Sequence, residues 1–108
     1  MLLNPKGDAA LKPIHLDSIV TVSKDQVSSD LAGEAAILNL KAGKYYGLDE
    51  VGARAWSFLR VPRSVREIKR MFLEEYEVDP EQCERDLIAL FHKLEGEGLI
   101  EIQSETAV

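Results

Sequence analysis

The sequence predicts an α+β fold that resembles a winged helix-turn-helix, with a small three-stranded antiparallel sheet followed by three helices. Two observations predict this fold. Up to Leu48 the apolar segments are short and separated by turn residues, whereas after Leu48 apolar residues recur at a spacing near 3.6. Each helical segment also begins with a residue type that caps helices. A chain of 108 residues holds one core, so we expect a single domain.

Three strands are predicted before the helices. Residues 18–23 form a β-branched run, residues 34–40 are rich in isoleucine and leucine, and Lys44–Leu48 contains two tyrosines. Residues 41–43 end in a glycine, so the last two strands are predicted to form a hairpin. We expect the first strand to pair with this hairpin in one sheet. Residues 25–33 are consistent with either a loop or an additional strand.

Three capped helices follow. Asp49 is placed to cap a helix that runs to about residue 59. Ser64 and Glu67 have the spacing of a capping box and open the second helix. Asp79 followed by Pro80 opens the third, because proline is tolerated at the first helical position. The helices are therefore predicted to lie in the order of a winged helix-turn-helix.

The expected boundaries are a flexible lead-in over residues 1–17, a domain over residues 18–102 and a polar tail over residues 103–108. The domain ends with a short strand near residues 99–102, after glycines that stop the third helix. No apolar run approaches the roughly 20 residues of a membrane span, and the N-terminus lacks the pattern of a signal peptide. Because no apolar run is long enough to span a membrane, we expect no membrane partner. With a single cysteine no internal disulfide is possible, which favours a reducing compartment, so we expect a cytoplasmic protein.

The net charge of −6 is unevenly distributed. Residues 41–70 carry eight basic and three acidic side chains, whereas residues 71–108 carry two basic and eleven acidic ones. Such runs are commonly solvated helix faces, and they also occur where basic and acidic patches meet different partners. The sequence leaves both explanations open.

The reactive residues do not converge on an enzyme site. Cys83 falls on the apolar stripe of the third helix, where cysteine is usually a small core residue. His15 and His92 are far apart, so no set with metal-ligand spacing exists. The glycines form neither a phosphate loop nor a dinucleotide motif. We therefore predict no catalytic residue, no metal site and no cofactor.

Nucleic-acid binding is the alternative function, because winged helices often read DNA with the third helix. In this chain, residues 79–97 carry six acidic and two basic side chains. Phosphates would be repelled by such a surface rather than attracted to it. Nucleic acid is therefore an unfavourable partner.

Recognition of a peptide is the remaining possibility. If Lys44–Leu48 lies at a sheet edge beside the third helix, an extended peptide can add to it as another strand. The alternative is that Tyr45 and Tyr46 only pack over the small core with their hydroxyls outward. The pattern alone leaves both interpretations open.

One stretch resembles a known family. Residues 36–56 contain a strand that ends in a tyrosine-rich turn, then leucine and aspartate, then a helix start with glycine at 52 and tryptophan at 56. This pattern, with the glycine-containing segment at residues 94–100, is similar to the coenzyme PQQ synthesis protein D (PqqD) family. It is also similar to the stand-alone leader-binding proteins of lasso-peptide pathways. The resemblance covers roughly residues 18–102.

The resemblance implies a non-catalytic domain that binds the leader of a ribosomally made precursor peptide. A partner enzyme, often a radical SAM enzyme or a leader peptidase, then modifies the peptide. Carried onto this sequence, the docking strand is Lys44–Leu48. The implied peptide-binding positions are Lys44, Tyr45, Tyr46, Gly47 and Leu48 on the strand, with Glu84, Leu87, Ile88 and Phe91 on the third helix.

Overall fold

A computed structural model describes residues 13–103 of the chain. It contains two small antiparallel sheets and three helices, as the predicted α+β class requires. The elements in chain order are β1 (Ile19–Val22), β2 (Gln26–Leu31), β3 (Glu34–Asn39), β4 (Lys44–Leu48), α1 (Glu50–Ser57) with a 3-10 turn (Phe58–Arg60), β5 (Arg63–Ser64), α2 (Val65–Glu75), α3 (Pro80–Gly96) and β6 (Ile100–Gln103).

The first sheet has the strand order β5-β1-β6. The expectation that β1 joins the hairpin is therefore wrong. Val20 of β1 lies opposite Ile102 of β6 on one side and opposite Arg63 of β5 on the other. The strand after α3 and the two residues before α2 return to β1, a pairing between segments far apart in sequence. Val20 is completely buried between them.

The second sheet has the order β2-β3-β4, so the predicted hairpin gains a third strand from β2. The uncertain segment at residues 25–33 is thus largely a strand. In the hairpin, Ile37 lies opposite Tyr46 and Leu38 lies opposite Tyr45. Gly43 takes a positive φ of 68° in the connecting turn, a conformation that favours glycine. The sheet positions β4 at one edge and β2 at the other.

The three helix caps are as predicted. The side chains of Asp49, Ser64 and Asp79 each accept a hydrogen bond from a backbone N–H three residues later, at 2.9, 3.1 and 2.9 Å. These bonds satisfy N–H groups that have no partner within the helix. Only half of the capping box forms, because the carboxylate of Glu67 pairs with Arg63 at 3.0 Å. Local chemistry therefore accounts for where each helix starts.

The buried apolar side chains form one cluster with members from both sheets and all three helices. Phe91, Ile37 and Ile68 are its largest fully buried members. Phe58 and Phe72 meet edge to face within it, with ring centroids 5.5 Å apart. The cluster fixes the position of α3 relative to β4.

Part of the expected lead-in lies within the described residues and packs on the domain. Ile14 is only 6% exposed. The backbone N–H of Arg66 donates to the carbonyl of Leu16 at 2.8 Å, and the Arg66 side chain pairs with Asp17 at 2.9 Å. The packed chain thus includes residues that precede Ser18.

Residues 1–12 and 104–108 lie outside the described range. Among the described helices, none has the length and apolar character needed to cross a membrane.

Candidate functional site

The site begins at the free edge of β4. On one side β4 pairs with β3, and within residues 13–103 no strand pairs with its other side. Its side chains alternate, as a half-buried strand requires: Leu48 is buried and Tyr46 is half-buried, whereas Tyr45 is 75% exposed. An edge strand of this kind presents unpaired N–H and C=O groups to any extended chain.

Helix α3 runs beside this edge and leaves a gap of about 450 Å³. The strand and the helix face each other across it. Its lining consists of Tyr46, Gly47, Leu48, Asp49 and Gly52 on one side and Asp86, Ala89, Leu90 and Lys93 on the other. Residues 46 to 49 of an extended segment span about 10 Å, and residues 86 to 93 of a helix span about 10.5 Å. The two walls therefore match in length.

A second cavity of about 290 Å³ adjoins the gap. Asp49, Gly52, Asp86 and Leu90 line both, so the two spaces are adjacent. The other lining residues of the second cavity are mainly apolar: Val51, Ala55, Phe72, Tyr76, Val78, Gln82, Cys83 and Leu87. We call the gap and this apolar cavity together the groove. It combines a backbone edge with a space that a large apolar side chain can fill.

Residues 34–100 match the family described as coenzyme PQQ synthesis protein D (PqqD). The chain belongs to the PqqD family. This match contains β3, β4 and all three helices, and so it includes both walls of the groove.

Two solved structures are similar to this PqqD-family chain. One is TbiB1 in complex with the TbiA(beta) leader peptide, which is 37% identical, with 75% of this chain and 94% of that chain covered and a TM-score of 0.72. The other is a lasso peptide synthetase B1 complexed with its leader peptide, which is 20% identical, with 76% and 96% covered and a TM-score of 0.63. At that identity the second likeness concerns the fold alone. None of the curated proteins matches the chain.

The structure brings most of the predicted strand residues to the groove. Tyr46, Gly47 and Leu48 line it. Lys44 is exposed at the start of β4, and Tyr45 points to the opposite face of the sheet. The strand positions that the family resemblance implies thus divide between two faces.

The predicted helix residues are distributed differently. Leu87 lines the apolar cavity. Glu84 pairs with Lys69 of α2 at 2.9 Å, Ile88 is half-buried against the core, and Phe91 is completely buried. Glu84, Ile88 and Phe91 do not line the groove.

The helix wall of the gap consists instead of residues that the sequence reasoning did not select. Asp86, Ala89 or Leu90, and Lys93 follow one another at helical spacing, so they share one side of α3. Their signal in the sequence is weak, because this side mixes charged, small and apolar residues. Only the position of β4 beside α3 identifies this side of the helix as a wall of the gap.

Most basic side chains of residues 41–70 are paired within the molecule. Five of the eight form salt bridges: Lys41, Arg54, Arg63, Arg66 and Lys69. Their acidic partners partly neutralise the basic segment. This favours the solvated-surface explanation of the charge pattern over a continuous basic patch for nucleic acid.

Cys83, the single cysteine of the chain, lines the apolar cavity of the groove. Burial raises its pKa, and the nearby cation of Lys69 offsets this in part. A thiol with a raised pKa is a poor nucleophile near neutral pH.

Within residues 13–103, His, Cys, Asp and Glu side chains form no group of three or more that could hold a metal ion.

Proposed function

We propose that this chain binds the leader segment of a ribosomally made precursor peptide as an added strand along β4, and presents it to a partner modifying enzyme. The observation that carries the proposal is the edge of β4, which has no partner strand on one side among residues 13–103. This edge faces a wall of similar length on α3 across an open groove. The similarity to TbiB1, whose structure contains a leader peptide, supports the same conclusion.

Strand addition divides affinity and specificity between two parts of the groove. Backbone hydrogen bonds to β4 contribute attraction that depends little on sequence. Alternate side chains of an added strand point to the same face, so every second peptide residue enters the gap. One of them can continue into the apolar cavity beside Cys83 and Leu87. A short strand with one or two such anchors corresponds to a Kd near micromolar, about −8 kcal/mol.

The chain acts without catalysis of its own. The groove lining offers carboxylates at Asp49 and Asp86 and the thiol of Cys83. The Asp49 side chain is engaged in capping α1, and the Cys83 thiol is buried with a raised pKa. Modification is therefore assigned to the partner, such as a radical SAM enzyme or a leader peptidase. Incubating the precursor with this chain alone should leave its mass unchanged in mass spectrometry.

Strand addition is tested by N-methylating each backbone amide of the leader in turn. The probe is the TbiA(beta) leader peptide, the ligand in the similar TbiB1 structure. Every second N-methyl group should weaken binding strongly, because alternate amides of an added strand bond to β4. The same peptides with alanine in place of the inward side chains serve as the matched series. A binding profile without a period of two would contradict strand addition.

A further inference from the structure

A hydrogen bond joins the two walls of the groove at one end. The side-chain amide of Asn39, the last residue of β3, donates from Nδ2 to the carbonyl oxygen of Glu97 at 2.8 Å. Within residues 13–103 no other hydrogen bond connects the β3–β4 hairpin with α3. Asn39 lies opposite Lys44 in the hairpin, and Glu97 directly follows α3. The bond therefore ties the start of β4 to the end of α3.

This connection lies next to one end of the gap. The backbone N–H of Glu97 donates to the carbonyl oxygen of Lys93 at 3.1 Å. Lys93 is the last residue of the helix wall, and Tyr46, two positions after Lys44, is the first residue of the strand wall. A bond that fixes Glu97 relative to the hairpin thus also fixes the separation of the two walls at this end.

The core holds only the buried side of α3. Phe91 and Leu94 pack there and are almost completely buried. Across the gap the walls are separated by open space, so no packing holds them at a fixed separation. A hydrogen bond weakens steeply away from its best distance and angle, and so it constrains the separation where packing does not.

The side chain of Asn39 does more than cap the hairpin turn. Its Oδ1 accepts hydrogen bonds from the backbone N–H groups of Lys41 and Ala42, both at 3.0 Å, and these bonds support the turn. An aspartate could accept the same two bonds. Of the two side chains, only the amide can also donate to Glu97. The turn therefore needs the oxygen of Asn39, whereas the connection between the walls needs its nitrogen.

The residue after Glu97 leaves space for this amide. Gly98 has a φ of 74°, in the left-handed region that favours glycine. A Cβ at this position would lie 3.1 Å from Nδ2 of Asn39, which is closer than ordinary van der Waals contact. The glycine thus ends α3 and leaves the bond between Asn39 and Glu97 undisturbed.

We propose that Asn39 is a positioning residue for leader binding, whose amide sets the separation of β4 and α3 before the peptide arrives. For the identity of the ligand the inference rests on the proposed function. Asn39 does not line the groove, so it acts through the walls and not through contact with the peptide. A peptide that enters a gap of fixed width does not lose affinity to ordering the walls, and it binds more tightly for that reason.

Asn39→Asp tests the amide nitrogen alone, because the carboxylate still accepts the turn bonds but cannot donate to Glu97. The Kd of a fluorescent TbiA(beta) leader peptide should rise about fivefold, as expected for the loss of one hydrogen bond. Asn39→Ser keeps an oxygen for the turn, adds no charge and is shorter, and it should give a similar rise. Lys41→Gln is the matched control. It removes an exposed ion pair with Asp25 in the same turn, and the Kd should stay within twofold of the original.

A distance measurement separates positioning from a role in folding alone. Nitroxide labels are attached to Leu31→Cys and Gly96→Cys, with Cys83→Ala in every sample. Leu31 is 58% exposed, and a Cβ at Gly96 would meet no atom within 4 Å. Double electron–electron resonance should give a broader distance distribution after Asn39→Asp, and bound leader should narrow it again. Equal widths with and without Asn39→Asp in the free chain overturn the proposal.

The two measurements also separate this inference from the proposed function. If the unaltered chain binds the TbiA(beta) leader and both Asn39 variants bind it equally well, the positioning role is wrong and the proposed function stands. If the unaltered chain does not bind this leader, the proposed function fails and the positioning role fails with it. Circular dichroism at the assay temperature selects the folded variants for which the Kd is compared.

Discussion

The two sides of α3 differ in burial, although both carry apolar residues. The core side consists of Cys83, Leu87, Phe91 and Leu94, none more than 7% exposed. The groove side consists of Asp86, Ala89, Leu90 and Lys93, which are exposed or half-buried. The core side holds the helix against the sheets, whereas the groove side is available to a ligand. This separation means that stability and peptide binding should respond to different substitutions on one helix.

The largest expected effect is on the core side. Phe91→Ala removes a completely buried ring and should lower the free energy of unfolding by about 3–5 kcal/mol. That is a large part of the roughly 5–15 kcal/mol that stabilises a typical domain. Urea denaturation followed by circular dichroism measures it. Leu90→Ala, on the groove side of the same helix, is the control and should cost less than half as much. Equal losses would show that the two sides do not differ.

The second prediction concerns the groove side. Ala89→Asp is an exposed substitution within α3 and should lower the free energy of unfolding by no more than about 1 kcal/mol, because aspartate is a poorer helix former than alanine. A bound peptide would remove the new carboxylate from water, so the Kd for the leader should rise about tenfold or more. Isothermal titration calorimetry gives the Kd. Ala89→Ser, a polar change of similar size without charge, should bind nearly as well as the original chain. Unchanged binding by Ala89→Asp would remove α3 from the binding site.

The difference between the two sides also shows what the sequence could and could not predict. The helix starts at Asp49, Ser64 and Asp79 were predictable, because a cap depends on residues only three positions apart. The pairing of β1 was not. Its partner β5 has only two residues. The strand near residues 99–102 was predicted and corresponds to β6, but β6 lies some 80 positions from β1, so no local signal indicates that the two strands pair.

The strand wall of the candidate site was predictable from the sequence, whereas the helix wall was not. The β4 strand follows from its alternation, its turn and the family resemblance, and it lies at an edge as strand addition requires. The apolar residues of α3 extend around more than one side of the helix, so periodicity alone cannot say which side faces the core. Phe91 was therefore selected for the site although it is buried, and Leu90 was passed over although it lines the groove.

The third prediction concerns Cys83, which lies where the two sides meet: it is buried and it also lines the apolar cavity. Burial raises its pKa in the folded state above the unfolded value. The stability that the protonated thiol contributes is fully present below the unfolded pKa and is lost as pH rises through the folded pKa. Alkylation by iodoacetamide at pH 8 should be slower than that of a free peptide thiol, and slower still with leader peptide bound.

Cys83→Ser should lower the free energy of unfolding by about 1–3 kcal/mol, because a hydroxyl is buried in place of a thiol. Cys83→Ala keeps the site apolar and is the matched control. Chemical denaturation of both variants measures the difference. A thiol that reacts as fast in the native chain as in a short peptide would place Cys83 outside the core.

The smallest expected effect belongs to the two charges of the groove side. Lys93 and Asp86 lie two helical turns apart and line different parts of the gap, since only Asp86 also borders the apolar cavity. Both are exposed, so Lys93→Gln and Asp86→Asn should leave the free energy of unfolding nearly unchanged. Asp86→Asn also keeps an oxygen that can accept the hydrogen bond from Gln82, which is 2.8 Å long.

Exposed ion pairs contribute about 0.2–1 kcal/mol, so each substitution should change the Kd for a charged leader by no more than about fivefold. Salt screens such pairs, with a Debye length of about 10 Å at 0.1 M and about 3 Å at 1 M. The effects of Lys93→Gln and Asp86→Asn on the Kd should therefore largely disappear in high salt, whereas the effect of Ala89→Asp should persist, because it arises from desolvation within the groove. Fluorescence anisotropy of a labelled leader at the two salt concentrations measures both. If all three variants lose their effect together, binding is driven by charge and the groove does not enclose the peptide.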